Sequence, residues 1–203
     1  MEILTALLVG FFFSFIGSIP PGSINLSVLQ LAVKGNLPAA FRFIFASAGI
    51  EFIYAYIAIR FQILITSSPF VIQNFYIISA SVMVLLGIIN LLSQKNPGKL
   101  SKKLANSGFR KGMIISILNP LAIPFWIGIT AYLQSNKWIV INKDTIFLYI
   151  TGISLGTFAL LTVITLLSSK VAPYLQNPSL IKKIPGFVLL ILGLYAFYKF
   201  FAG

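Results

Sequence analysis

Two features of this 203-residue chain could do chemistry in an otherwise apolar setting. The first is the run Gly17, Ser18, Ile19, Pro20, Pro21, Gly22, Ser23, Ile24, Asn25, which interrupts a long hydrophobic stretch. Two prolines remove two backbone donors and clash with the preceding turn, freeing carbonyls between Phe15 and Ile19. A helix restarting near Ser23 would present unpaired N–H groups and a positive dipole end, with Ser23 as its cap. Freed carbonyls can hold an ammonium and a helix start can hold a carboxylate, a pairing that suits a zwitterion. The alternative is a structural kink satisfied by neighbouring helices.

The second feature is Glu51, the only acid inside an apolar segment. On a helix, Ser47 and Ala55 lie one turn to either side of it, and Ala48, Tyr54 and Ala58 are nearby, a small and slightly polar stripe. Such a stripe can pack closely on another helix or line a cavity. Glu51 could take up and release a proton or hold a substrate ammonium, and functional use is the default for an intramembrane acid. A salt bridge to Arg42 or Lys111 is the structural alternative. Asn25, Asn90 and Asn119 can each donate and accept, so each could orient a polar solute or join two helices. Trp126, Tyr54, Tyr56 and Tyr132 read as interface or core residues.

Composition narrows the classes. The chain is 58% hydrophobic and 9% charged, with a mean hydropathy of +0.98. Soluble domains are roughly a quarter charged, so lipid is the solvent expected here. There is no cysteine and no histidine, and the acids are Glu2, Glu51 and Asp144 alone. No disulfide framework, metal site, cofactor or nucleophile–base pair can be assembled from that inventory, and an enzyme is not expected. The net charge of +12 reads as bases flanking membrane spans and not as a nucleic-acid surface, because those bases are dispersed among apolar segments. Glu2 stands where a cleavable signal would carry a base.

A crossing of about 30 Å takes about 20 apolar residues. The stretch from Ile3 to Val33 is too long for one straight crossing and reads as one discontinuous span. After the turn Lys34–Pro38 come span two, Phe41–Ile65, and span three, Phe70–Leu92. A basic linker over Ser93–Gly112, with an interfacial helix near Leu100 and Leu104, leads to span four, Met113–Leu133, which carries Asn119, Pro120 and Pro124. Trp138 is an expected interface anchor. Span five is Thr145–Ser168 and span six Pro185–Phe201.

The sequence therefore predicts an all-α integral membrane protein of six transmembrane helices. They would form two inverted three-helix repeats, residues 1–93 and 113–203 around a linker at 94–112, with broken helices at spans one and four. With the termini outside, eleven bases fall on the inner side and four on the outer, so the positive-inside rule makes the basic loops cytoplasmic. The four-residue steps Gly10, Ser14, Ser18, Gly22 and Gly152, Gly156 are small-residue packing faces, which also permit a homodimer.

The Pro20-Pro21-Gly22 break, the Ala48-Gly49-Ile50-Glu51 stretch and the basic linker ending in Gly112 ahead of Asn119-Pro120 resemble, in order and spacing, the LysE-type (LysE/RhtB) amino-acid exporter family. The resemblance implies a bacterial inner-membrane exporter of amino acids, driven by the proton gradient, with Glu51 in the place of the family's span-two acid. The family's Pro-Gly-Pro motif is altered here, since Ser23 follows Gly22. Many members carry a second acid in span five, where this chain has Thr157 or a neighbour, which turns the expectation from dibasic substrates toward neutral or small ones. The expected site is thus Glu51, Pro20, Pro21, Gly22, Ser23, Asn25, Ser47, Asn119, Pro120 and Thr157. The expected partners are a small-molecule substrate, membrane lipids and protons. A carrier of another small metabolite and a non-transporting membrane scaffold are the competing readings.

Overall fold

The computed structural model describes residues 2–20, 22–66, 107–119 and 122–173, with further helical positions within 77–91 and 187–201. Pro21, Pro120, Asn90 and most of spans three and six lie outside the described residues. Among the described residues every regular element is helical: α1 Glu2–Gly17, α2 Ser23–Val33, α3 Leu37–Thr66, α4 Gly108–Ile117, α5 Ala122–Ser135, α6 Ile146–Leu166 and the single turn α7 Ser168–Val171.

α3 and α6 are long and apolar enough to cross a membrane, and α4 with α5 makes a third such span bent by 65° at its break. α1 and α2 are shorter apolar helices on either side of the proline run. The turn between α2 and α3 follows from its residues. Gly35 takes a φ of +73°, and the Asn36 side chain accepts from the Ala39 N–H at 3.2 Å, capping α3.

Helix α1 is inside-out by soluble standards. Its large residues Leu4, Leu8, Phe12 and Ile16 point outward, while Ala6, Gly10 and Ser14 are buried. Hydrocarbon gives no hydrophobic reward for hiding leucine, so close packing of small residues sets the interior instead. The seam formed is between α1 and α6. A Cβ on Gly10 would fall on the Tyr149 carbonyl oxygen, one on Gly152 on that of Leu7, and one on Gly156 on that of Phe11. Backbones so close exclude any side chain larger than hydrogen. The Ser14 and Thr157 hydroxyls close the seam with a 2.9 Å hydrogen bond. The small faces Gly10–Ser14 and Gly152–Gly156 are therefore filled within the chain, and a second copy would need other surfaces.

Contacts give the directions. α1 and α6 run parallel, as the pairs above require. α4 runs parallel to α3, with Gly108 against Ala39 and Gly112 against Phe43 and Ala46. The Ser154 hydroxyl of α6 donates to the Ala48 carbonyl of α3 at 2.8 Å, and Tyr56 stacks on Phe147, so α6 and α3 are antiparallel. One end of the molecule thus gathers Glu2, Arg60 and Asp144. The other gathers Lys34, Arg42, Arg110, Lys111 and Lys170. In the second half, α4 starts five residues before the expected span, inside the stretch read as linker, because Gly108 and Gly112 let it lie directly on α3.

Two apolar cores hold this arrangement. One contains Ala6, Ala55, Ile59, Trp126, Leu133, Tyr149 and Ile153. The other contains Val28, Leu31, Ala40, Phe43, Ile44, Leu160 and Leu161. Along the chain the two cores are separated at Ser14, from Ser47 to Glu51, from Ser116 to Ala122, and from Ser154 to Thr157. The helix directions place these gaps at one level, where the polar groups collect.

Gly152→Val should overpack the seam and cost about 1–3 kcal/mol, lowering the midpoint of thermal unfolding in detergent. Gly49, exposed with open space around it, is the contrast. Gly49→Ala should be neutral or raise the midpoint, since alanine is the better helix former by up to about 1 kcal/mol.

Candidate functional site

The polar belt is built around Glu51 on α3. Its carboxylate oxygen accepts a hydrogen bond from the indole N–H of Trp126, on α5 across the seam between the two halves. Trp126 is 1% exposed, and an indole can only donate, so burial obliges it to find an acceptor. The sequence reads Trp126 as an interface or core residue and does not show this second role. The signal was present: the chain has three acids, and Glu51 alone lies within a span. Neither Arg42 nor Lys111 pairs with Glu51 among the described residues.

The second break is completed from the same helix. α4 ends at Ile117 and α5 begins at Ala122, so the carbonyls of α4's last turn lose their helical partners. The Tyr54 hydroxyl, one turn beyond Glu51, donates to the Ile117 carbonyl, while the Asn119 N–H turns back to Ser116 at 3.1 Å. Ser47, one turn before Glu51, and Ser116, one turn before the end of the break, are both 1% exposed. Both hydroxyl oxygens are buried without a hydrogen-bond partner among the described residues. Gly112 against Ala46 places them at one level of the α3–α4 contact.

The first break behaves differently. Asn25 donates to the carbonyls of Ser18 at 2.8 Å and Pro20 at 3.3 Å. Two of the carbonyls in the break are thus satisfied from within α2. Gly22, in extended backbone (φ −119°, ψ −171°), is the N-cap of α2 and no side chain caps the helix. Ser23 is the first helical residue and exposed, so the expectation that it caps α2 is not met. Asn25 acts here as an internal strut.

The two breaks touch. A Cβ on Gly17 would meet the Phe125 ring at 2.5 Å. Phe125 in turn lies edge-on to Trp126, with ring centroids 4.9 Å apart. Consecutive residues at the start of α5 therefore reach the first break and the acid. Of the expected site residues, Glu51, Ser47 and Asn119 lie at the second break. Pro20, Gly22, Ser23 and Asn25 lie at the first. Thr157 is engaged with Ser14 beside it. Pro21 and Pro120 fall outside the described residues. Among the described residues no group of acids could hold a metal ion.

Residues 15–200 match the LysE type translocator family. The chain belongs to that family. It is a membrane transporter on that ground. The chain is also 25% identical over 191 residues, 90% of each sequence, to the Bacillus subtilis (strain 168) protein named "Putative amino acid efflux protein YcgF". No solved structure matches. The family assignment agrees with the resemblance read from the Pro20-Pro21-Gly22 break, Glu51 and Asn119-Pro120.

Trp126→Phe keeps the ring and removes the donor. Leaving a buried polar group unpaired should cost about 1–3 kcal/mol in unfolding free energy. In a Glu51→Leu background the same substitution should cost much less. Equal costs in the two backgrounds would mean that the hydrogen bond contributes nothing.

Proposed function

We propose that this transporter is a secondary-active exporter of amino acids across the bacterial inner membrane, with Glu51 as the group that binds a proton or the substrate ammonium. The observation that carries the reading is the position of Glu51. It lies between the two apolar cores, level with both breaks, and is held by a neutral donor in place of a cation. A carboxyl without a resident cation is available to a proton or to a substrate ammonium. The relative named for amino acid efflux supports the substrate class.

Neutral or small amino acids are the favoured cargo. By the family resemblance, Thr157 or a neighbour takes the place of a second acid in span five, and Thr157 is already bonded to Ser14, so a second cationic group on the substrate would find one acid and not two. The full arrangement we propose is six spans in two inverted halves with the basic loops cytoplasmic. Two broken crossings of opposite direction, each followed by a continuous one, support it.

The test is efflux from proteoliposomes loaded with labelled amino acids, with and without a proton gradient. Wild-type protein should release a neutral subset in a gradient-dependent way, and Glu51→Gln should lose that dependence. Release by Glu51→Gln equal to wild type at every pH would remove Glu51 from the mechanism. Absence of release from folded protein would favour the scaffold reading.

A further inference from the structure

Two buried hydroxyls beside Glu51 have nothing to bond to. Ser47 on α3 and Ser116 on α4 are each 1% exposed, and neither oxygen has a partner among the described residues. An unpaired buried hydroxyl is costly, and in hydrocarbon no water relieves it. The ordinary remedy is the helix's own carbonyl four residues back. Thr151 takes it, donating to Phe147 at 2.7 Å, and Ser81 does the same with Ile77 at 2.7 Å. The carbonyl that would serve Ser47 in this way is that of Phe43, and Gly112 packs against it.

Three other hydroxyls at this level are engaged. Ser14 is bonded to Thr157, Ser154 to the Ala48 carbonyl and Tyr54 to the Ile117 carbonyl. Thr162 and Thr165 are also unpaired, but they lie further along α6, toward the end where bases gather. Ser47 and Ser116 are the unpaired hydroxyls that stand next to an acid.

Their surroundings have one sign. Gly108 on Ala39 and Gly112 on Phe43 fix the register of the parallel helices α4 and α3. One further turn on each brings Ser116 level with Ser47. Glu51 follows Ser47 by one turn, and helical side chains lean back toward the helix start, which carries the carboxylate over Ser47. One of its oxygens accepts from Trp126, and the other has no partner among the described residues. α4 ends at Ile117, so its negative dipole end lies here as well. The nearest base along α4, Lys111, stands more than a turn before Ser116, toward the basic end of the molecule. A carboxylate, two hydroxyl oxygens and a helix C-terminus together favour a cation, and half-helix C-terminal ends in transporters are used in that way.

From this geometry we infer that Ser47, Ser116 and the second oxygen of Glu51 form a cradle for a primary ammonium. Three acceptors match the three N–H donors of that group. The inference rests on the reading of Glu51 as the group that meets an amino-acid substrate, and it adds the side chains that recognise the substrate's amino end. Both hydroxyls are closed over in this conformation, so the cradle fills when α3 and α4 part at the break, where the crossing turns away by 65°. A methyl group on the nitrogen removes a donor and adds bulk, so the cradle selects primary over N-methylated amines. An alkali ion asks the same of the oxygens and is a separate arm of the test.

The experiment is the thermal unfolding midpoint of the full chain in neutral detergent. It is titrated at equal ionic strength with methylammonium, tetramethylammonium and sodium chlorides, and separately with alanine and N-methylalanine. Methylammonium and alanine should raise the midpoint, N-methylalanine less so, and tetramethylammonium not at all. Ser47→Ala and Ser116→Ala should each weaken the methylammonium response roughly tenfold in apparent affinity. Thr151→Ala, which removes a hydroxyl already bonded to its own helix, should leave it intact. Without ligand both serine variants should unfold at or above the wild-type midpoint, because each loses an unpaired polar group. A fall in both would give the hydroxyls a structural role and overturn the cradle. A methylammonium response absent in wild type, or intact in both serine variants, would also overturn it, while gradient-driven amino-acid efflux could still stand. A response to sodium alone would assign the oxygens to an alkali ion and overturn the ammonium. A serine-dependent methylammonium response with none to alanine, and no efflux of any amino acid, would keep the cradle and remove the amino-acid reading.

Discussion

The indole of Trp126 donating to Glu51 is the contact on which the interior depends. It joins the first half of the chain to the second at the edge of one apolar core, of which Trp126 is itself a member. At the register of Gly108 on Ala39 and Gly112 on Phe43, an unbroken α4 would carry Trp126 about six residues past Glu51 along α3, so the contact requires the break. The 65° bend thus does more than accommodate a proline. It brings Trp126 onto the acid and Phe125 onto Gly17 in consecutive positions, so that one helix start closes against both the first break and α3.

The lipid solvent explains why the remaining polar groups are where they are. Each freed carbonyl in a membrane must be satisfied internally or by a solute. At the first break Asn25 does this from seven residues away in sequence, within the same crossing. At the second break the donor is Tyr54, from a different helix and the other half of the chain. The first break is self-contained, whereas the second is complete only while α3 stays in place. With α1 locked to α6 through glycine contacts, and α3 joined to α4 by the Tyr54 hydrogen bond and small-residue packing and to α5 by the Glu51–Trp126 and Gln62–Gln134 hydrogen bonds, the second break is the one that a displacement of α3 would open.

Much of this was legible in the residues. The discontinuity at Pro20 and Pro21, the break at Asn119, the packing faces of Gly10 and Gly152 and the place of Glu51 within an apolar helix all follow from local chemistry: a missing N–H, a missing Cβ, a charge in an apolar run. What was not legible depended on which face meets which. Asn25 looked like a solute ligand because its sequence neighbours are a break, and only the fold shows its amide turned back on Ser18 and Pro20. Ser23 looked like a cap because hydroxyls cap helices, but the chain enters α2 through extended Gly22, one residue earlier. Trp126 reads in the sequence as an interface or core residue. Its partner lies 75 residues away, and long-range pairing leaves no local periodicity to detect.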